Sequence, residues 1–273
     1  MDNRPVGIFD SGSGGLPAAG ALRASLPNEN IIYLGDLKLF PYGGRSKDEL
    51  AAAALRNIGF LKTFNVKAIL VACGTISANI PQIFSEDSAT PVFGVMLPAV
   101  KAALSATRTG RIGIAATKRA VASGAFKAAL EAERSGLSII SVACPEFAPM
   151  TESGHISSDD PLVRKTVREY LEPVAEFGAD TLILGCTHYS LLTGAIADLL
   201  GPGVRLADAG ETAAAELSAC LHEKDMLTEQ KEPGSDTFYY SGGNPEQFAK
   251  FAGMIFKKDI GADMKFTDLT AAG

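Results

Sequence analysis

The 273-residue chain is long enough for two domains of roughly 100 to 150 residues each. Its 47% hydrophobic and 21% charged residues sit near globular averages, which excludes extended disorder and fibrous repeats. A formal charge of -6 and an isoelectric point near 5.2 argue against a surface built to hold nucleic-acid backbones.

In chain order, the opening "MDNRPVGIFD" lacks a basic stretch followed by an apolar one. No later apolar run approaches the roughly 18 residues that span a bilayer, so the expectation is a cytoplasmic protein with no membrane partner. Short apolar runs then alternate with helix-length amphipathic segments. The runs are "VGIFD" (6 to 10), "NIIYLGD" (30 to 36), "KAILVAC" (67 to 73), "PVFGV" (91 to 95), "RIGIAAT" (111 to 117), "LSIISVAC" (137 to 144), "DTLILGC" (180 to 186) and "VRLADAG" (204 to 210). Strands alternating with helices predict an α/β fold with parallel sheets, helices on both faces, and strands buried on both faces. After residue 210 the pattern predicts a helix, a solvated and mobile connection "EKDMLTEQKEPGSD" (223 to 236), a strand "TFYYS" (237 to 241) and a final helix.

The runs also repeat. "AILVAC" (68 to 73) aligns with "TLILGC" (181 to 186), which superposes Cys73 on Cys186, and "GIFDS" (7 to 11) aligns with "GIAAT" (113 to 117). The chain therefore reads as two pseudo-symmetric α/β units whose C-terminal segment packs back on the first half.

In parallel α/β sheets ligands bind beyond the carboxyl ends of the strands, and the reactive clusters all fall there. In "DSGSGG" (10 to 15), Pro17 occupies the third glycine position of a dinucleotide fingerprint, and no phosphate-loop lysine follows. The bared amides suit a carboxylate instead, and Asp10 reads equally as a helix cap or a functional acid. Cys73 and Cys186 each precede a hydroxyl-bearing turn and a helix, a setting that lowers a thiol pKa and activates both. Cys144 and Cys220 read as buried structural thiols. No cysteine pair has zinc-ligand spacing, and no cofactor signature appears, so neither metal nor cofactor is expected. Two thiols on opposite sides of one substrate atom can remove a proton from one face and return it to the other, inverting a stereocentre such as an amino-acid α-carbon. His188, Asp10, Asp36 and Glu152 are the candidate assisting acids and bases.

These motifs resemble those of the glutamate racemases, within the aspartate/glutamate racemase superfamily, along nearly the whole chain. The resemblance rests on "GIFDSGSGGL" (7 to 16), "YLGD" with "PYGGRS" (33 to 46), "ACGTISA" (72 to 78), "GVMLPA" (94 to 99), "ACPEFAPMTESG" (143 to 154) and "LGCTHYSLL" (184 to 192). It implies a cofactor-independent enzyme that interconverts L- and D-glutamate through Cys73 and Cys186, assisted by Asp10, Glu152 and His188, with Asp36 at a further acidic position. The product D-glutamate would serve peptidoglycan synthesis. The substrate contacts implied are Asp10, Ser11, Pro41, Tyr42, Gly43, Gly44, Gly74, Thr75, Thr117, Thr187 and His188. The family fold places the site between two domains, here residues 1–97 with 210–273, and 98–209, and the family suggests a homodimer.

Three positions depart from the family pattern. Gly74 stands where many members carry Asn, Ala120 replaces the second Thr of the pattern that retains Thr117, and Ser190 stands where proline is more usual. Each of the two lost polar groups is expected to weaken glutamate binding by roughly 1 to 3 kcal/mol where its partners stay buried and unpaired. The departures favour one rival, a racemase of aspartate or another small amino acid. A cysteine hydrolase using Cys186 and His188 is a second, but it needs a loop in which the two side chains meet and leaves Cys73 unexplained. A non-catalytic two-lobed binding protein is a third.

Overall fold

The computed structural model describes residues 1–84 and 88–269. Each of the eight apolar runs contains a strand, and helices fill the segments between them. The order is β1 (Val6–Asp10), α1 (Leu16–Ser25), β2 (Ile31–Gly35), α2 (Lys47–Lys62), β3 (Ala68–Val71), α3 (Gly74–Asn79), β4 (Val92–Gly94), α4 (Met96–Ala106), β5 (Arg111–Ala116), α5 (Lys118–Ser123), α6 (Ala125–Glu133), β6 (Ser138–Ala143), α7 (Phe147–Glu152), α8 (Pro161–Phe177), β7 (Thr181–Leu184), α9 (Thr193–Leu200), β8 (Arg205–Asp208), α10 (Ala209–Glu223), β9 (Asp236–Tyr240), α11 (Pro245–Phe256) and β10 (Met264–Phe266).

Local chemistry marks the helix starts. Ser46 and Glu49 form a reciprocal capping box ahead of α2, with Ser46 N donating to Glu49 Oε2 at 2.8 Å. Asp160 with Pro161 opens α8, which Gly178 ends at a left-handed φ of 69°. Asp208 accepts from the amides of Gly210 and Glu211 to start α10.

All strand pairs are parallel. One sheet runs β10-β9-β2-β1-β3-β4, the other β6-β5-β7-β8. The order β2-β1-β3-β4 recurs as β6-β5-β7-β8, so the repeat read from sequence is a repeat of topology, with Cys73 after β3 and Cys186 after β7. Helices α1, α4 and α10 join the halves: one apolar cluster runs from Val6, Leu16 and Tyr33 through Ala99 and Leu217 to Ile114 and Ile183.

Three expectations are corrected. β6 is an edge strand, paired with β5 alone among the described strands, and is partly exposed along its length where the runs predicted burial on both faces. β10 was not expected: its three residues "MKF" are too few to show a period, and it forms only as an edge on β9. The connection 223 to 236 is largely exposed, as expected, but it is anchored at several points rather than free along its length. The ammonium of Lys67, fully buried, pairs with Glu29 at 2.5 Å and donates to the carbonyls of Asp2 and Met226. Thr228 N donates to Glu29 Oε1 at 2.7 Å, and Gly234 N to Pro27 O at 2.9 Å.

Candidate active site

The carboxyl ends of both sheets open onto one cavity of about 230 Å³. Its wall carries Cys73 from the end of the β3 loop and Cys186 from the equivalent place after β7, both buried. Asp10, Ser11, Pro41, Tyr42, Gly43, Gly44, Gly74, Thr75, Thr117, Thr187 and His188 also line it, so these expected substrate contacts lie together.

The two thiols have different neighbours. Cys186 Sγ lies 3.7 Å from His188 Nδ1, and His188 Nε2 lies 2.9 Å from Glu152 Oε1. Ser13 donates a short hydrogen bond to the same Glu152 oxygen. Burial alone would lower the His188 pKa, but its contacts with Cys186 and Glu152 outweigh this and hold it well above the ordinary imidazole range. Burial would likewise raise Glu152, but the His188 and Ser13 hydrogen bonds bring it below the usual carboxylate value. The imidazole sits against the glycine loop, since a β-carbon on Gly14 would lie 2.0 Å from its ring.

Cys73 faces Asp10. Burial and the Asp10 charge push its thiol well above the ordinary value, outweighing the amides of Ile76 and Thr75. The expectation that both thiols are activated by their helix starts is corrected for Cys73: desolvation wins over two amide donors. Asp10 is itself raised by burial, against the charge of His188 and hydrogen bonds from the loop amides and Cys73. Asp10 is not the cap of α1, whose N-cap is Gly15 with no side-chain hydrogen bond; the Asp10 carboxylate braces the loop ahead of that helix. Asp10 Oδ2 accepts from Gly12 N at 3.1 Å and Gly15 N at 3.2 Å while the residue lines the cavity. Those two amides, expected to seat a substrate carboxylate, are thereby taken.

Two of the acids expected to assist lie outside the cavity wall. Glu152 reaches it only through His188. Asp36, expected among the acid–base groups, is behind the wall, where its oxygens accept from Tyr42 (2.6 Å), Arg56 (2.6 Å) and Ser241 (2.7 Å). It holds the Tyr42 hydroxyl in place, with Asn57 Nδ2 donating to that hydroxyl at 3.0 Å. Ala120 and Ser190 are not on the wall either. The Ala120 amide is capped by Thr117 Oγ1 at 3.2 Å, and Thr117 itself is on the wall.

Sequence reasoning missed Cys144, Lys118, Phe40 and Tyr189, which also line the cavity. The signal for Cys144 was its place at the end of β6, equivalent to Asp36 and its neighbours after β2. Burial raises its thiol, first, and the nearby Cys186 adds to this. Among the described residues, no group of three or more His, Cys, Asp or Glu is arranged to hold a metal ion, and no helix is long and apolar enough to cross a membrane.

The family pattern described as Asp/Glu/Hydantoin racemase matches residues 19–217. The chain is 38% identical over 243 residues to a glutamate racemase of Lactococcus lactis subsp. cremoris (strain SK11), covering 89% of each. It is similar in structure to a glutamate racemase of Bacillus anthracis, with a TM-score of 0.91 at 34% identity over 98% of this chain and 99% of that one. It also resembles the Francisella tularensis glutamate racemase solved with D-glutamate, with a TM-score of 0.89 at 33% identity over 99% and 100%.

Proposed function

As the chain belongs to the Asp/Glu/hydantoin racemase family, we propose that this isomerase interconverts L- and D-glutamate without a cofactor, using Cys73 and Cys186 as opposed bases. One observation carries the reading: two thiols from equivalent strand ends share one cavity wall. With the substrate α-carbon between them, one thiolate takes the α-proton and the opposite thiol delivers its own proton to the other face. The product is the mirror image, and the two sulfurs have exchanged protonation states. Asp10 beside Cys73 and the His188–Glu152 pair beside Cys186 reset those states by passing protons to and from the sulfurs. Hydroxyls of Ser11, Thr75 and Thr117, with the Tyr42–Gly44 turn, hold the substrate carboxylates and offset charge that builds up on the carbanion.

The D-glutamate formed would enter peptidoglycan synthesis. A cytoplasmic location fits four cysteines that are all free. The contact between Cys186 and His188 also meets the geometric need of a cysteine hydrolase, but that chemistry has no use for Cys73 in the same cavity.

Proton NMR of the protein with L-glutamate in D2O, with circular dichroism of the same samples, tests the reading. The expected result is loss of the α-proton signal together with decay of optical activity, both abolished in Cys73→Ala and in Cys186→Ala. Normal racemisation by either variant removes the two-base assignment. Exchange with aspartate but not glutamate moves the substrate to the smaller acid, and acyl-enzyme formation without α-proton exchange selects the hydrolase.

A further inference from the structure

Gly74 is pressed against the opposite lobe. A β-carbon built on it would lie 1.9 Å from the carbonyl oxygen of Gly185, 3.0 Å from that carbonyl's carbon and 3.5 Å from Cys186 Cα. Real β-carbons essentially never come within 3.0 Å of another heavy atom. The obstacle is backbone, so it cannot swing aside as the end of a flexible side chain would. Gly74 does not need glycine for its own conformation, because it opens α3 as an ordinary helical residue and the positive-φ glycines lie elsewhere. What requires glycine is the contact.

That contact is between the two loops that carry the thiols. Gly74 directly follows Cys73, and Gly185 directly precedes Cys186. One hydrogen bond crosses the same gap, from Thr187 Oγ1 to Ala72 O at 3.0 Å, and beside it the hydroxyls of Thr75 and of Thr117, at the end of β5, lie 3.0 Å apart. A family-type asparagine at 74 therefore has no room here, because the Gly185 carbonyl occupies the space its β-carbon would need.

We propose that Gly74 is a positioning residue that sets the spacing between the two cysteine loops, and this rests on the racemase reading above. Lacking a β-carbon, it lets the lobes close until both thiols address one α-carbon. Any side chain drives the Gly185 carbonyl outward, breaks the Thr187–Ala72 bond and parts the thiols. Misplacing reacting groups by about 1 Å costs on the order of 100-fold in rate.

The test uses Gly74→Ala and Gly74→Asn in the full chain. Alanine is favoured over glycine inside a helix by about 1 kcal/mol, so the smaller variant has no conformational reason to misfold. The expected result for Gly74→Ala is a kcat for glutamate racemisation lowered roughly 100-fold in both directions, with KM changed far less. Exchange of the α-proton with solvent, which needs one thiol at a time, should fall less than racemisation. A crystal structure of that variant should show residue 74 and Gly185 parted and the Thr187–Ala72 bond lost. Wild-type kcat in both variants overturns the proposal, as does a variant structure that keeps that bond. If the unaltered protein leaves glutamate unchanged, the racemase reading fails by itself. The crystallographic comparison needs no substrate and still decides whether Gly74 sets the spacing.

Discussion

At the scale of single residues, the two sides of the cavity differ in how they hold protons. His188 is buried, yet Cys186 and Glu152 together keep it in its charged form well above the ordinary imidazole range. Cys73 is held as a thiol by burial and by Asp10. Such asymmetry predicts which group limits the alkaline side of the pH–rate profile. Glu152→Gln keeps a hydrogen-bonding oxygen but removes the charge that favours the imidazolium, so the His188 pKa must fall. The alkaline limb of kcat is therefore expected to move to lower pH in this variant, measured for both directions of racemisation. An unmoved limb would mean that His188 does not set it. The residues behind this argument were legible unequally. Cys73, Cys186 and His188 stood out because reactive types are rare in the chain and ended strands. Asp36 was placed among the acids by motif alone, and only the fold shows its carboxylate spent on Tyr42, Arg56 and Ser241.

At the scale of elements, the strands were readable because parallel strands buried on both faces give unbroken apolar runs. What escaped was anything governed by distant partners. The segment 223 to 236 looks like a solvated linker because its composition is charged, yet the pair of Lys67 and Glu29 fastens it beneath the amino ends of β3 and β2. No local pattern encodes a contact between residue 67 and residue 226. The energetics of that anchor follow from burial. Both side chains are almost fully excluded from water, Lys67 at 0% and Glu29 at 2% exposure. Lys67→Met leaves Glu29 charged and unpaired in the interior, and the expected cost is about 3 to 5 kcal/mol in urea unfolding. Replacing both partners, as Lys67→Met with Glu29→Leu, should recover much of that loss, because no charge then stays buried alone. Equal losses in the single and double variants would show that the hydrogen bonds to Asp2 and Met226, not the ion pair, hold the segment.

At the scale of the whole molecule, the repeated strand order sets two cysteine loops face to face, which the sequence repeat foretold. How the halves are joined was not legible in either copy. We propose the bounds 1–97 with 210–273, and 98–209, for two units that nevertheless share a core. Strand and helix residues of the first sheet, such as Val6, Leu16 and Leu70, belong to one continuous apolar cluster with Ile112, Phe126 and Ile183 of the second. Helices α4 and α10 supply the bridge through Ala99, Val100, Ala213 and Leu217. Separating the units would expose that bridge, and apolar surface costs roughly 25 cal/mol for each Å² returned to water. Neither half is then expected to unfold ahead of the other. Heating should give one transition, coincident whether followed by far-ultraviolet circular dichroism or by alkylation of Cys73 and Cys186, with calorimetric and van't Hoff enthalpies equal. Two resolved transitions would instead make α4 and α10 a weak seam between units that fold independently. In that case contacts across the cavity, those at Gly74 and Thr187 among them, would hold the cysteine loops at their spacing.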